Sequence, residues 1–167
     1  MPGLEPGDLV AERYEIVRAL GKGGMGVVYL AKDNLTEQKI ALKTLLPEYV
    51  ANRRAVQRFI QEVNAVRRLD HDCIVKILDA RQLDNLLYYT TEYVEGKSLR
   101  EWMQRKKRFG VGSTVRVLSL LCSALEHAHQ YTIHRDISPE NVMVMAIGGG
   151  DRLEFRGGAS TGRKAAS

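Results

Sequence analysis

The run GKGGMGVVYLAK restricts the fold more than any other part of the chain, because Gly21, Gly23 and Gly26 lead straight into Val27, Val28, Tyr29 and Leu30. Glycines let the backbone turn tightly and approach a ligand closely, while β-branched and aromatic residues favour an extended chain. The turn therefore joins two strands, at 14–20 (YEIVRAL) and 26–32 (GVVYLAK), as a hairpin. A dinucleotide-binding βαβ unit needs its glycines to open a helix, so the pattern argues against that fold. A GxGxxG spacing alone is weak evidence for phosphate binding, since glycine turns also arise for geometry only.

A turn at 34–38 leads to a third strand at 40–45, which Pro47 closes because proline cannot continue a ladder. From Val56 the apolar spacing changes to three and four: Val56, Phe59, Ile60, Val63 and Val66 mark an amphipathic helix. Glu62 lies about one turn from Phe59 and Val66, at the edge of that stripe. Strands at 74–83 and 86–93 follow, joined at Asp84 and Asn85. Ser98 and Glu101 have capping-box spacing ahead of a short helix ending near Gly110. A longer helix is predicted at 114–130, with Leu118, Leu121, Cys122, Leu125 and Ala128 on one face. Residues 142–146 and 152–155, around a glycine turn at 148–150, are predicted as a hairpin. The closing GGASTGRKAAS is too small and polar to build a core.

The 167 residues are 44% apolar and 27% charged, enough to bury a core, and the formal net charge of +5 suits a polyanionic partner without choosing one. RKKR at 105–108 and the arginines at 53, 54, 67 and 68 stand at helix ends without interleaved aromatics, so they read as solvated faces rather than a nucleic-acid site. Cys73 and Cys122 form no CxxC pair and read as buried, reduced thiols. His127 and His129, two apart on a helix, point to different faces and are predicted to be structural or exposed. The chain has no apolar run near the roughly 18–20 residues of a membrane span and opens without a signal-like stretch, which predicts a cytoplasmic protein.

Taken in order, the glycine run, IALK with Lys43, the helix with Glu62, LYYTTEYVEGKSL and HRDISPEN resemble a eukaryotic-like (bacterial Hanks-type) serine/threonine protein kinase across residues 12–155. The resemblance implies an α+β, protein-kinase-like two-lobe fold: a complete five-stranded N-lobe with one helix, plus an incomplete helical C-lobe. Its expected boundaries are a lead at 1–11, the N-lobe at 12–94, the partial C-lobe at 95–156 and a flexible tail at 157–167. It further implies ATP and Mg²⁺ as cofactors and a protein substrate offering a Ser or Thr hydroxyl. By the same resemblance Lys43 holds the α- and β-phosphates, Glu62 pairs with it, and Asp136 is the catalytic base. The pairing has a physical reason: a carboxylate fixes the position of an ammonium on a flexible stem. Leu20, Gly21, Lys22, Gly23, Gly24, Met25 and Gly26 would cover the phosphates, with Val28 and Ala41 above the adenine and Met143 below. Thr91 is the gatekeeper, and the backbone of Glu92 to Val94 meets the adenine edge. Asn141 binds the metal, and His134 is a packing residue.

The chain also departs from that family. Ser138 stands where serine/threonine kinases carry a lysine against the γ-phosphate, and a hydroxyl cannot neutralise developing negative charge. No DFG is present; its expected place, thirteen residues beyond Asn141, holds Glu154, Phe155 and Arg156. Glu154 retains a carboxylate for Mg²⁺, while Arg156 replaces a glycine. The sequence then closes without an activation segment, as a shifted reading frame or early stop would produce. Arg135 accordingly lacks the phosphorylated loop it would meet. Two readings stay open: an active kinase, or a truncated, impaired module that binds ATP or docks to a partner, with a complete kinase chain as the candidate partner.

Overall fold

The computed structural model describes residues 3–23, 26–83, 86–106, 110–131, 137–147 and 152–157. Gly24, Met25, the Asp84–Asn85 turn, Lys107, Arg108, His134, Arg135, Asp136, the 148–150 turn and the tail beyond 157 lie outside them. In chain order the elements are β1 (Leu9–Val10), β2 (Tyr14–Lys22), β3 (Gly26–Asp33), β4 (Lys39–Leu45), α1 (Pro47–Val50), α2 (Arg53–Val66), β5 (Ile77–Leu83), β6 (Leu86–Glu92), β7 (Lys97–Ser98), α3 (Leu99–Lys106), α4 (Val111–His129), β8 (Val142–Ile147) and β9 (Arg152–Gly157). They divide into two compact units. The first holds the chain to Arg67 together with Lys76–Tyr93; the second holds Arg68–Val75 and the described residues from Val94 onward.

The first unit is an antiparallel sheet in the order β1-β2-β3-β4-β6-β5 with helix α2. Its register separates two faces, because neighbouring residues on a strand point to opposite sides. Val27, Thr44 and Tyr88 stand in one cross-strand row, Tyr29, Leu42 and Thr90 in the next. Val27, Tyr29, Leu42 and Tyr88 join Val10, Tyr14, Ile16, Ala31 and Ile40 in a buried cluster. The opposite face carries the rows Val28–Lys43–Tyr89 and Leu30–Ala41–Thr91. Arg13 clamps the β2–β3 hairpin from below: its Nε and Nη2 donate to the two carboxylate oxygens of Asp33 at 2.8 and 2.7 Å. Asp33 also accepts from the Leu35 amide and the Thr36 hydroxyl, which fastens the turn that follows.

All five expected strands of this lobe are present, and residues 9–10 of the lead add a short sixth at the edge. Helix α2 begins at Arg53, three residues ahead of the apolar period, because the Asn52 side chain caps it by accepting from the amides of Arg54 and Ala55. Its buried residues are Ala55, Phe59 and Val63, while Ile60 is 43% exposed. Pro47 does end β4, and it also opens the one-turn α1 as an N1 proline. The strand expected from 74 begins at Ile77. The preceding segment is held as a loop: the Cys73 amide donates to His71 Nδ1 at 3.0 Å and the Ile74 amide to the His71 carbonyl at 2.9 Å.

The second unit packs α3 and α4 with the antiparallel sheet β7-β8-β9. Ser98 and Glu101 form the expected capping box: the Glu101 amide donates to Ser98 Oγ at 3.2 Å and the Ser98 amide to Glu101 Oε2 at 2.7 Å. Helix α4 is rotated from the expected face. Val117, Ala124 and Ala128 are buried and Leu121 half-buried, whereas Leu118 and Cys122 are exposed. The expectation of two buried thiols is therefore corrected: Cys73 is buried, but Cys122 lies one turn from Leu118 on the outer face. His127 is structural, as expected, its Nε2 accepting from the Asp70 amide at 3.2 Å. No helix among the described residues is long and apolar enough to cross a membrane.

Candidate functional site

Pairing carries the row on the outer face of the first sheet one strand further: Gly21 stands opposite Val28, Val28 opposite Lys43, and Lys43 opposite Tyr89. A register shift between Ala19 and Gly21 makes this possible, leaving Leu20 as an extra residue that turns Gly21 into line. The Gly23 amide donates to the Gly26 carbonyl at 2.8 Å and closes the hairpin beside Lys22. The two outer glycines serve different ends. A Cβ on Gly26 would stand 2.3 Å from the Thr44 carbonyl oxygen, so only glycine fits. A Cβ on Gly21 would meet nothing within 4 Å, so its backbone faces open space.

Lys43 and Glu62 come together. Lys43 Nζ donates to Glu62 Oε1 at 2.8 Å, with the side chains 11% and 30% exposed. Tyr89, which sequence reasoning passed over, completes the group. Its hydroxyl donates to the same Oε1 at 2.7 Å, and its ring lies 5.3 Å from that of Phe59 on α2. Burial pushes the Tyr89 phenol well above its ordinary range, and the Glu62 charge adds to this, so the hydroxyl remains a donor. An ammonium held at a fixed point, open backbone at Gly21, and the small Ala41 opposite Thr91 share one face of the sheet, where the ammonium can neutralise an anionic group. The Glu92 amide is turned away from β4 and donates to the Lys76 carbonyl at 3.3 Å.

The second unit, described by itself, holds Val94, Asn141 and Met143. Val94 and Asn141 are buried, and Met143 is half-buried on β8 opposite Ser98. The Asn141 amide donates to the Ser138 carbonyl at 3.0 Å, closing a turn over Pro139 and Glu140. Two contacts tie this turn to α3: the Arg100 amide donates to the Pro139 carbonyl at 3.1 Å, and Arg100 Nε to Glu140 Oε1 at 2.7 Å. The guanidinium holds the Glu140 carboxyl below its usual range. Glu154 lies within β9 with its backbone opposite Met145, and Arg156 opposite Met143. Asp136 is outside the described residues, as are Gly24 and Met25. Among the described residues no cluster of three His, Cys, Asp or Glu side chains is placed to hold a metal.

The family model for the protein kinase domain matches residues 14–149. The chain belongs to the protein kinase family. Its relatives include the serine/threonine-protein kinase PrkC of Bacillus subtilis, 36% identical over 143 residues that are 85% of this chain and 22% of that protein. The serine/threonine-protein kinase pkn3 of Myxococcus xanthus is 36% identical over 140 residues, 83% of this chain and 26% of that protein. The Mycobacterium tuberculosis PknI kinase domain superposes with a TM-score of 0.76 at 29% identity, covering 94% of this chain and 62% of that one. The chain therefore spans about a quarter of the curated relatives' length and less than two thirds of the solved kinase domain. The matched span contains the glycine hairpin, the Lys43–Glu62 pair and Asn141.

Proposed function

We propose that this chain carries the nucleotide-binding lobe and catalytic loop of a serine/threonine kinase, which transfers the γ-phosphoryl group of ATP to a protein hydroxyl. The observation that supports it best is the Lys43–Glu62 ion pair, standing in one cross-strand row with the glycine hairpin. Lys43 would neutralise charge on the α- and β-phosphates, and the amides of 20–26 would cover them. The adenine would lie against Val28, Ala41 and Met143, with its edge at the backbone of Glu92 and Val94. Asp136 would orient the substrate Ser or Thr hydroxyl and take its proton as the oxygen bonds to the γ-phosphorus and the bond to the β-phosphate oxygen breaks, releasing ADP. Mg²⁺, when bound, supplies charge neutralisation on the phosphates; the Asn141 amide oxygen and the Glu154 carboxylate are its proposed ligands. A cytoplasmic setting supplies the ATP.

Transfer of labelled γ-phosphate to a generic basic protein and to the chain itself, with Asp136→Asn as control, tests the proposal. Incorporation that vanishes in the control supports it; no incorporation by folded protein that still binds ATP overturns the transfer step. Ser138 favours a second reading, because a hydroxyl replaces the cation expected at the γ-phosphate. In that reading the chain binds ATP without transferring it, and acts by docking to a complete kinase chain. Nucleotide binding without turnover, with stimulation of a co-purified full-length kinase, distinguishes it.

A further inference from the structure

We infer that Tyr89 is a positioning residue of the nucleotide site, a clasp that holds Glu62 against Lys43 by donating its hydroxyl to the oxygen that the ammonium also uses. The inference rests on the reading of Lys43 as a phosphate-binding lysine. Tyr89 is Lys43's direct cross-strand neighbour on β4–β6, so their side chains leave the same face of the sheet. The ammonium sits 5.6 Å from the centre of the Tyr89 ring, close enough for cation–π attraction. The hydroxyl and the ammonium reach Glu62 Oε1 at 2.7 and 2.8 Å. The ring of the same tyrosine packs on Phe59, one helical turn before Glu62. One side chain therefore docks α2 twice, through its ring and through its hydroxyl.

The chemistry of the arrangement separates these two contributions. Tyr89 is 2% exposed, and a phenylalanine would preserve the packing of its ring. Only the donor would be lost. Glu62 is partly solvated, so without the hydroxyl its carboxylate has water as an alternative partner and its helix has one fewer tie to the sheet. Lys43 then spends more time away from the position where phosphates would meet it. Tyr88, next in the chain, is the internal control: it is fully buried on the other face and its hydroxyl has no hydrogen-bond partner among the described residues.

The test compares wild type, Tyr89→Phe and Tyr88→Phe in two measurements. Acylation of Lys43 by an amine reagent, followed by peptide mass spectrometry on nucleotide-free protein, reads the clasp without any ligand. Titration with ATP and with adenosine reads its effect on the phosphates. Tyr89→Phe is expected to label Lys43 about 3-fold faster or more and to weaken ATP about 5- to 10-fold, with adenosine changed less than about 2-fold. Tyr88→Phe should match wild type in all three. Unchanged Lys43 labelling in Tyr89→Phe, or equal weakening of ATP and adenosine, overturns the inference. Faster labelling in a protein that binds no ATP in any form supports the clasp and overturns the nucleotide reading instead.

Discussion

Lys43 Nζ lies 2.8 Å from Glu62 Oε1, joining the middle of a strand to the middle of a helix that begins ten residues later in the chain. A pair of this exposure holds position more than it stabilises the fold. In a double-mutant cycle of Lys43→Met and Glu62→Gln, thermal unfolding should yield a coupling of about 1 kcal/mol or less. ATP affinity in the same cycle should fall about 10-fold or more in either single variant, and the double variant should be little worse than Lys43→Met.

Tyr88 offers a stability prediction of opposite sign to the usual one. Its buried hydroxyl has no hydrogen-bond partner among the described residues and so costs desolvation, and removing it relieves that cost. Tyr88→Phe should leave stability unchanged or raise it by about 0.5–1 kcal/mol, as read by denaturant midpoint at constant slope.

Arg13 and Asp33 give the acid limb of stability. The guanidinium holds the Asp33 carboxyl well below the usual carboxylate range, with the Leu35 amide and Thr36 hydroxyl assisting. A folded-state pKa below the unfolded one, near 3.9, means that the contribution is complete above about pH 4 and is lost as the pH falls through the folded value. Asp33→Asn should therefore destabilise by about 2–3 kcal/mol at pH 7, and the difference from wild type should shrink below about pH 4. Urea unfolding at pH 7, 4 and 3 measures it.

Gly26 and Gly21 should part company on substitution. Gly26→Ala drives a Cβ into the Thr44 carbonyl and should cost about 3 kcal/mol or unpair the start of β3 from the end of β4. Gly21→Ala has open space and should change stability by less than about 1 kcal/mol. Thermal melts compare the two, and any loss of ATP affinity in Gly21→Ala then reports on the phosphate approach alone.

Much of the fold was legible because its signals are local. A glycine turn before a β-branched run, the change from period two to three and four after Pro47, and the Ser98–Glu101 spacing each specify their own element, and each stands close to where the sequence put it. Face assignments on α4 were not. Leu118 and Val117 are adjacent and both apolar, and nothing in the helix decides which one turns inward until Cys73, Val142 and Val144 supply the surface it packs on. The start of β5 failed for a related reason: Ile74 and Val75 look like strand, but His71 accepts from the Cys73 amide through its ring and from the Ile74 amide through its carbonyl, and β5 begins only at Ile77.

The order of the motifs was enough to identify the family and, through that resemblance, the Lys43–Glu62 pairing, because the motifs themselves rest on residue type and spacing along the chain. Tyr89 was a different matter. In sequence it is one of two adjacent strand tyrosines, equally apolar and equally buried. Only the register of β4 against β6 puts Tyr89 beside Lys43 and turns Tyr88 to the other face, and only the docking of α2 brings Glu62 within reach of that hydroxyl. Alternation guarantees that two neighbours differ in facing; which of them faces the site is set by pairing across the sheet, a relation the chain does not encode locally.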